Sequence, residues 1–186
     1  LTMTLGLAEY KLPEGEVRNR ALATANSGWA QHSPADAANF VASLPPGEAQ
    51  QNAAMLVLST WAASDPGAAA GWAGSFPEGP MRDSALQNVV GPWADTDPIG
   101  AATWVGNLPA GSSKDSALST FVGRLSSSAP DVAAQWAEAI NDPEMRQTWM
   151  QAAAQSWLAE DATKARAWIL QSSLSAEIKE ILLAQP

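Results

Sequence analysis

The chain has 186 residues and a formal net charge of −9, and it combines 46% apolar residues with 13 Gly, 13 Pro, nine Trp, one His and no Cys. The acidic charge disfavours nucleic acid and anionic membrane surfaces as partners, because both attract basic proteins. The lack of Cys excludes disulfides and thiolate metal sites, and no apolar run approaches the roughly 18–20 residues that cross a bilayer.

Residues 1–11 come first and have neither the basic flank nor the cleavage site of a signal peptide. They occupy the place of a second helix in the repeat described next, but they lack its Asp-Pro and its Trp. We therefore expect an array that is irregularly capped here or cut from a longer one.

From Leu12-Pro13 onward the sequence repeats every 32 residues. A large apolar residue, Trp in four units, marks each unit, at Trp29, Trp61, Trp93, Leu125 and Trp157. Eleven residues later stands a second large apolar residue, at Phe40, Trp72, Trp104, Trp136 and Trp168. We predict five units over residues 14–45, 46–77, 78–109, 110–141 and 142–174, followed by a terminal capping helix at 175–185.

Each unit is predicted to contain two short helices. The second begins at Ser33-Pro34, Asp65-Pro66 or Asp97-Pro98, where a capping side chain precedes a Pro at the first helical position. It ends at a Leu-Pro-x-Gly or Phe-Pro-x-Gly element, because the residue before Pro avoids the α region. The glycines of these elements are Gly15, Gly47, Gly79 and Gly111.

Helices this short are marginal alone, so they must bury their apolar faces against one another and against the next unit. The predicted fold is all-α, an α-solenoid that forms one continuous array over residues 1–186. The expected role of the tryptophans is a repeated core layer, and an aromatic platform for sugar or peptide is the alternative. The residues assigned to this layer are Trp29, Trp61, Trp72, Trp93, Trp104, Trp136, Trp157 and Trp168.

Two units depart from the pattern. The third carries Gly91-Pro92 inside its first helix, which predicts a kink or an early end. The fourth has Leu125 in place of Trp and Ile140-Asn141 in place of Leu-Pro, and Trp149 downstream occupies a position that is Ala elsewhere. One large residue lost and another gained nearby indicates volume compensation in a shared layer.

Little in the sequence points to catalysis. His32 stands alone in a loop position before a helix start, so neither a Ser-His-Asp arrangement nor a His-rich metal site has enough material. The repeated Asp65, Asp97 and Asp161 are explained by helix capping. We expect no enzymatic activity, no metal and no cofactor.

A column of basic residues shares one position of the repeat, with Gln50 in the missing place; it consists of Arg18, Arg82, Lys114 and Arg146. A cation in the first turn of a helix opposes the helix dipole, so a local contact should compensate. One interpretation is a ladder of internal salt bridges or of Arg stacked on Trp. The other is a line of binding residues for an acidic or extended peptide.

The segments Trp61-Ala62-Ala63-Ser64-Asp65-Pro66 and Trp93-Ala94-Asp95-Thr96-Asp97-Pro98, each running on to the Pro-x-Gly element, resemble short helical repeats of large, mostly uncharacterised bacterial proteins. These are similar in kind to tetratricopeptide repeats, and the resemblance covers about residues 12–172. It implies a right-handed superhelix of αα-hairpins and a role in protein–protein contact. The Leu-Gly and Tyr positions of the tetratricopeptide consensus are absent, so no groove residue is carried over.

The expected function is a non-catalytic scaffold that binds protein or peptide, as a segment of a larger envelope or secreted protein. The alternative is a structural module that self-associates by stacking end to end. A helical carbohydrate-binding or carbohydrate-active protein using exposed Trp is a third candidate.

Overall fold

A computed structural model describes residues 28–184 of the chain, and this part contains helices and turns without any strand. The predicted all-α class is thus confirmed for the described residues. A helical segment at 28–32 precedes ten further helices. These are α1 (Pro34–Ala42), α2 (Glu48–Ala62), α3 (Pro66–Gly74), α4 (Pro80–Thr96), α5 (Pro98–Gly106), α6 (Ser112–Leu125), α7 (Pro130–Ala137), α8 (Pro143–Glu160), α9 (Ala162–Gln171) and α10 (Ala176–Leu183).

Two compact units divide the chain, one ending at Ser64 and the other beginning at Asp65. In the first, α1 packs on α2. Its core includes Val41, Val57 and Leu58, each at most 1% exposed. The boundary between the two units falls within the predicted repeat 46–77, and the prediction of one continuous array over residues 1–186 stays a prediction.

In the second unit the long and short helices have different neighbours. The long helices follow one another in contact, α4 against α6 and α6 against α8, and the short terminal helix α10 also packs on α8. The short helices α5, α7 and α9 each pack between the long helix before them and the long helix after them, or against the terminal α10. This alternation follows the 32-residue repeat, since each period supplies one long and one short helix.

The core consists mainly of small and branched aliphatic side chains. Ala85, Val89, Ala117, Val122 and Ala153 are fully buried. Because Ala adds little volume beyond the backbone, helices lined with it approach closely and still exclude water. The closely packed interior therefore depends on alanine at least as much as on the tryptophans.

The predicted helix starts are confirmed where Pro follows Asp. Helices α3 and α5 begin at Pro66 and Pro98, and the preceding Asp side chain accepts a backbone N–H three residues ahead, from Ala68 at 2.9 Å and from Gly100 at 3.0 Å. Helix α1 also begins as predicted, at Pro34, but without a capping bond from the Ser33 side chain. The Asp-Pro pair supplies both a cap and a helical φ, whereas Ser33-Pro34 relies on the Pro alone.

The glycine of the Pro-x-Gly element directly precedes α2, α4 and α6, each time at the same backbone conformation. Gly47, Gly79 and Gly111 have φ values of 155°, 140° and 154°. With ψ near 180°, this is a region that only Gly enters at low cost. The repeated glycine therefore turns the chain from a short helix into the next long one.

A kink or an early end was expected at Gly91-Pro92. The early end is wrong, because α4 continues through Pro92 to Thr96, and the kink stays a prediction. Pro92 lacks the N–H that would bond within the helix. The residues on either side are held by packing, since Val90 is fully buried and Trp93 and Ala94 are 8% and 4% exposed. Tertiary burial outweighs the local cost of the proline.

Candidate functional site

Two residues of the basic column, Lys114 and Arg146, donate hydrogen bonds to backbone carbonyls of the chain. Lys114 Nζ donates to the carbonyls of Gly106 at 2.8 Å and Leu108 at 3.0 Å, which close the preceding helix. In the next repeat, Arg146 Nη1 donates to Ile140 at 2.8 Å and Asn141 at 3.2 Å. Gly106 is the last residue of α5, so its carbonyl has no partner within the helix, carries partial negative charge and favours a cation. The Ile140 and Asn141 carbonyls lie in the linker after α7.

Gln50, in the compact unit that ends at Ser64, makes an equivalent contact without a charge. Its Nε2 donates to the Val41 carbonyl at 3.1 Å. Arg82 is different: its side chain is 14% exposed and lies 3.9 Å from the Glu78 carboxylate. Its Nε is buried and has no hydrogen-bond partner among the described residues. Arg18 lies outside the described residues. The unfavourable interaction of these cations with the helix dipole is therefore compensated, at Lys114 and Arg146, by hydrogen bonds to backbone carbonyls. The predicted binding role of the column stays a prediction.

Asp83, Asp115 and Gln147 directly follow three positions of the basic column. Each of them hydrogen-bonds to residues near the start of a later helix, and we call these bonds the linker contacts. Asp115 is 5% exposed, and its carboxylate accepts the backbone N–H groups of Asn141 at 2.7 Å and Asp142 at 2.9 Å. Asp83 accepts from Ser113 Oγ at 2.8 Å. These contacts join the first turn of one long helix to the start of the next.

Gln147 makes the third linker contact with both ends of its amide. Its Nε2 donates to Ser173 O at 2.9 Å, and its Oε1 accepts from Ser175 N at 2.8 Å. These contacts were not predicted from the sequence. The signal for them is the recurrence of a polar side chain at one position of three successive repeats, Asp83, Asp115 and Gln147.

The tryptophans form pairs within a repeat. Trp93 and Trp104 have ring centroids 6.3 Å apart, and Trp157 and Trp168 repeat this arrangement at 5.9 Å. In the first unit, Trp29 and Phe40 lie 5.6 Å apart. Of the tryptophans assigned to the core layer, Trp93 is buried and the other seven are half-buried, namely Trp29, Trp61, Trp72, Trp104, Trp136, Trp157 and Trp168. The indoles thus lie at the margin of the aliphatic core.

The fourth repeat changes this pair. Leu125 stands in the Trp position, and Phe121, one helical turn earlier, contacts Trp136 edge-on at a centroid distance of 5.5 Å. The position of Phe121 is Val57, Val89 and Ala153 in the neighbouring repeats. Phe121 thus adds an aromatic ring to the core one turn before Leu125, and the predicted volume compensation by Trp149 stays a prediction.

An apolar groove of about 620 Å³ opens where the indole is missing. Helices α5 and α7 form its walls and α6 its floor, and α5 contains no charged residue. Ile99 is 79% exposed and Val132 37% exposed, although both side chains are apolar. The principal lining residues are Ile99, Phe121, Leu125, Ala129, Val132 and Trp136.

The charges beside the groove are acidic. Asp97 directly precedes the lining residue Pro98, Asp131 directly precedes Val132, and Glu138 follows Trp136 by two residues; all three are exposed. Arg124, next to Leu125 in sequence, is paired with Asp95 at 3.3 Å. An apolar surface with excess negative charge at its edge can bind a ligand by burial of area and by charge, without covalent chemistry.

His32, the remaining candidate residue from the sequence, is the last residue of the helical segment at 28–32. His32 is exposed, and its Nδ1 lies 3.0 Å from the Gly28 carbonyl oxygen in the preceding turn. Over residues 28–184, no group of three His, Asp or Glu side chains is placed to hold a metal ion. In the same part of the chain, no helix has the length and hydropathy needed to span a bilayer.

The described residues are therefore all helical in class, and they form an apolar groove between α5 and α7. Comparison with protein-family models, with curated proteins and with solved structures gives no match.

Proposed function

We propose that the chain is a non-catalytic protein-binding module, built as an α-solenoid in which successive helix pairs form a right-handed superhelix. The 32-residue repeat and the alternation of long and short helices in the second unit support this arrangement. Recurrent aromatic pairs and linker contacts give each repeat the same relation to the next, as nearest-neighbour stacking requires.

The exposed groove is the observation that carries the binding role. A side chain such as Ile99, 79% exposed beside an apolar groove, gives up burial free energy that a partner would restore. The groove volume of about 620 Å³ lies in the range typical of ligand pockets. The polar groups of Lys114, Arg146 and Asp115 are already engaged by backbone, which leaves the groove as the better candidate for recognition.

A random-peptide display library selected on the immobilised chain tests this function. We expect enrichment of sequences that bind the native chain and lose binding to Ile99→Asp. Leu170→Asp is the matched control, because Leu170 is also apolar and 63% exposed but does not line the groove. Failure to enrich any peptide, or enrichment equally sensitive to both variants, would overturn a groove-based binding function.

Self-association is a second candidate, favoured by apolar exposure on the last two helices. Leu170 on α9 is 63% exposed and Ile181 on α10 is 50% exposed. Stacking of such a surface against another copy would extend the array. Sedimentation velocity over a range of concentrations tests it, with Leu170→Asp/Ile181→Asp expected to abolish any concentration-dependent increase in size. A mass that is monomeric and independent of concentration excludes this function.

A further inference from the structure

The other repeats of the chain indicate the shape of the group that would fit the groove. In the repeats with Trp93 and Trp157, an indole from the long helix packs beside the aromatic ring of the following short helix. In the fourth repeat, Leu125 does not supply that indole, and Trp136 is half-buried with Phe121 at its edge. The missing group is a flat aromatic ring, so an aromatic side chain from elsewhere matches the vacant position.

The charged residues that adjoin the groove lining in sequence indicate which residue types of a partner could flank that aromatic ring. Asp97, Asp131 and Glu138 are exposed, while Arg124, the basic residue adjacent to the lining in sequence, is paired with Asp95. Cationic residues in a partner would meet exposed carboxylates, whereas acidic residues would meet like charge. Lys or Arg beside the anchor would also lie within reach of the Trp136 ring face.

We propose that the α5–α7 groove binds a polypeptide segment of a partner protein through an aromatic anchor residue flanked by Lys or Arg. The proposal rests on the protein-binding function above and specifies the chemistry of the partner. The aromatic ring occupies the space that Trp fills in the other repeats, and the cations face the three carboxylates. The volume of about 620 Å³ accommodates a ring together with neighbouring side-chain atoms.

Synthetic peptides test both features by titration calorimetry. The probe carries a central Trp between Lys residues, and its two variants replace Trp with Ala or Lys with Glu. We expect loss of the anchor to weaken binding at least about 10-fold, the usual scale for a buried aromatic hot spot. We expect the Glu variant to bind more weakly than the probe, with the difference shrinking as salt is added. Equal affinity of all three peptides, or preference for Glu, would overturn the proposal.

A groove-filling variant gives an independent test. Phe121→Val/Leu125→Trp recreates the Val89 and Trp93 arrangement of the third repeat and places an indole of the chain in the groove. We expect it to keep its helical circular dichroism and its cooperative thermal transition while losing affinity for the Trp-Lys probe at least about 10-fold. Undiminished binding by a folded variant would contradict the proposal. If the variant fails to fold, Ile99→Asp compared with Leu170→Asp provides the same decision on the protein surface.

The two proposals fail in different ways. If display yields Ile99-dependent peptides without an aromatic residue or without basic flanks, the protein-binding function stands and the stated chemistry is wrong. If display yields no Ile99-dependent peptide and the Trp-Lys probe does not bind, the groove-based function is wrong as well.

Discussion

Asp115 and Asn141 are 26 residues apart in sequence, and the Asp115 carboxylate accepts the backbone N–H of Asn141 at 2.7 Å. The same carboxylate accepts the N–H of Asp142 through its other oxygen. One side chain in the first turn of α6 thus holds the two residues that directly precede α8.

Replacing Asp115 with Ala should lower the free energy of unfolding by about 1–3 kcal/mol, because two backbone N–H groups would lose their acceptor next to a buried position. Urea unfolding followed by circular dichroism measures the change. Asp95→Asn is the control, since its partner Arg124 is 52% exposed and an exposed pair contributes only about 0–1 kcal/mol. Equal effects of the two substitutions would argue against a structural role for Asp115.

Replacing Lys114 or Arg146 with Met should destabilise the chain by about 1 kcal/mol each, because backbone carbonyls at the end of α5 or in the linker after α7 lose a cationic donor. Thermal unfolding measures the effect, with Arg124→Met as the control, because its exposed pair with Asp95 contributes only about 0–1 kcal/mol. If both variants keep the stability of the native chain but lose a bound partner, the basic column is a binding surface after all.

Gly79→Ala should cost about 1–3 kcal/mol, because φ of 140° is strained for any residue with a Cβ atom. Gly71→Ala offers the opposite case within α3, where an added Cβ meets no atom within 4 Å. In this helix interior, Ala should stabilise by about 0.5–1 kcal/mol. Chemical denaturation of the pair checks the sign as well as the size, and a shared sign would refute the conformational explanation.

The stability contributed by Asp161 should depend on pH in the acidic range. The side-chain hydrogen bond from Lys164, at 2.9 Å, together with the Lys164 backbone N–H, lowers the pKa of Asp161 below its ordinary value. A lowered folded-state pKa means that the stabilisation is present above the unfolded-state pKa and is lost as pH falls through the folded-state pKa.

Melting temperatures of the native chain and Asp161→Asn, compared from neutral pH to about pH 2, test this linkage. Asn also caps helices, so the comparison isolates the charge. The other carboxylates titrate in both proteins and cancel in the difference. We expect the native chain's advantage to disappear as the pH falls, and a difference that is constant with pH would contradict the assignment.

The sequence allowed the helical class and most helix ends to be predicted, because Asp-Pro and Pro-x-Gly act through the backbone of adjacent residues. Asp97 caps α5 and Gly79 precedes α4, as their positions in the repeat indicate. Pro92 shows the limit of such reasoning, since burial of Val90 and Trp93 decides what local propensity alone would not.

The candidate site was predictable only in outline. Replacement of Trp by Leu125 marked the fourth repeat as unusual, but the groove also depends on Phe121 facing Trp136 and on Ile99 standing outside the core. The repeat pattern did not indicate which acceptors Lys114 and Arg146 would use, because these are main-chain carbonyls at the end of α5 and in the linker after α7. Every residue has a backbone carbonyl, so residue types do not indicate which carbonyl a side chain will bind.

The linker contacts have a consequence for how the second unit opens. Asp83, Asp115 and Gln147 tie α4 to α6, α6 to α8, and α8 to the start of α10. Exposure of one helix pair to solvent must therefore break hydrogen bonds that belong to its neighbour. Amide exchange in these helices should proceed through concerted opening of several repeats, so that a single helix pair rarely frays independently of the others.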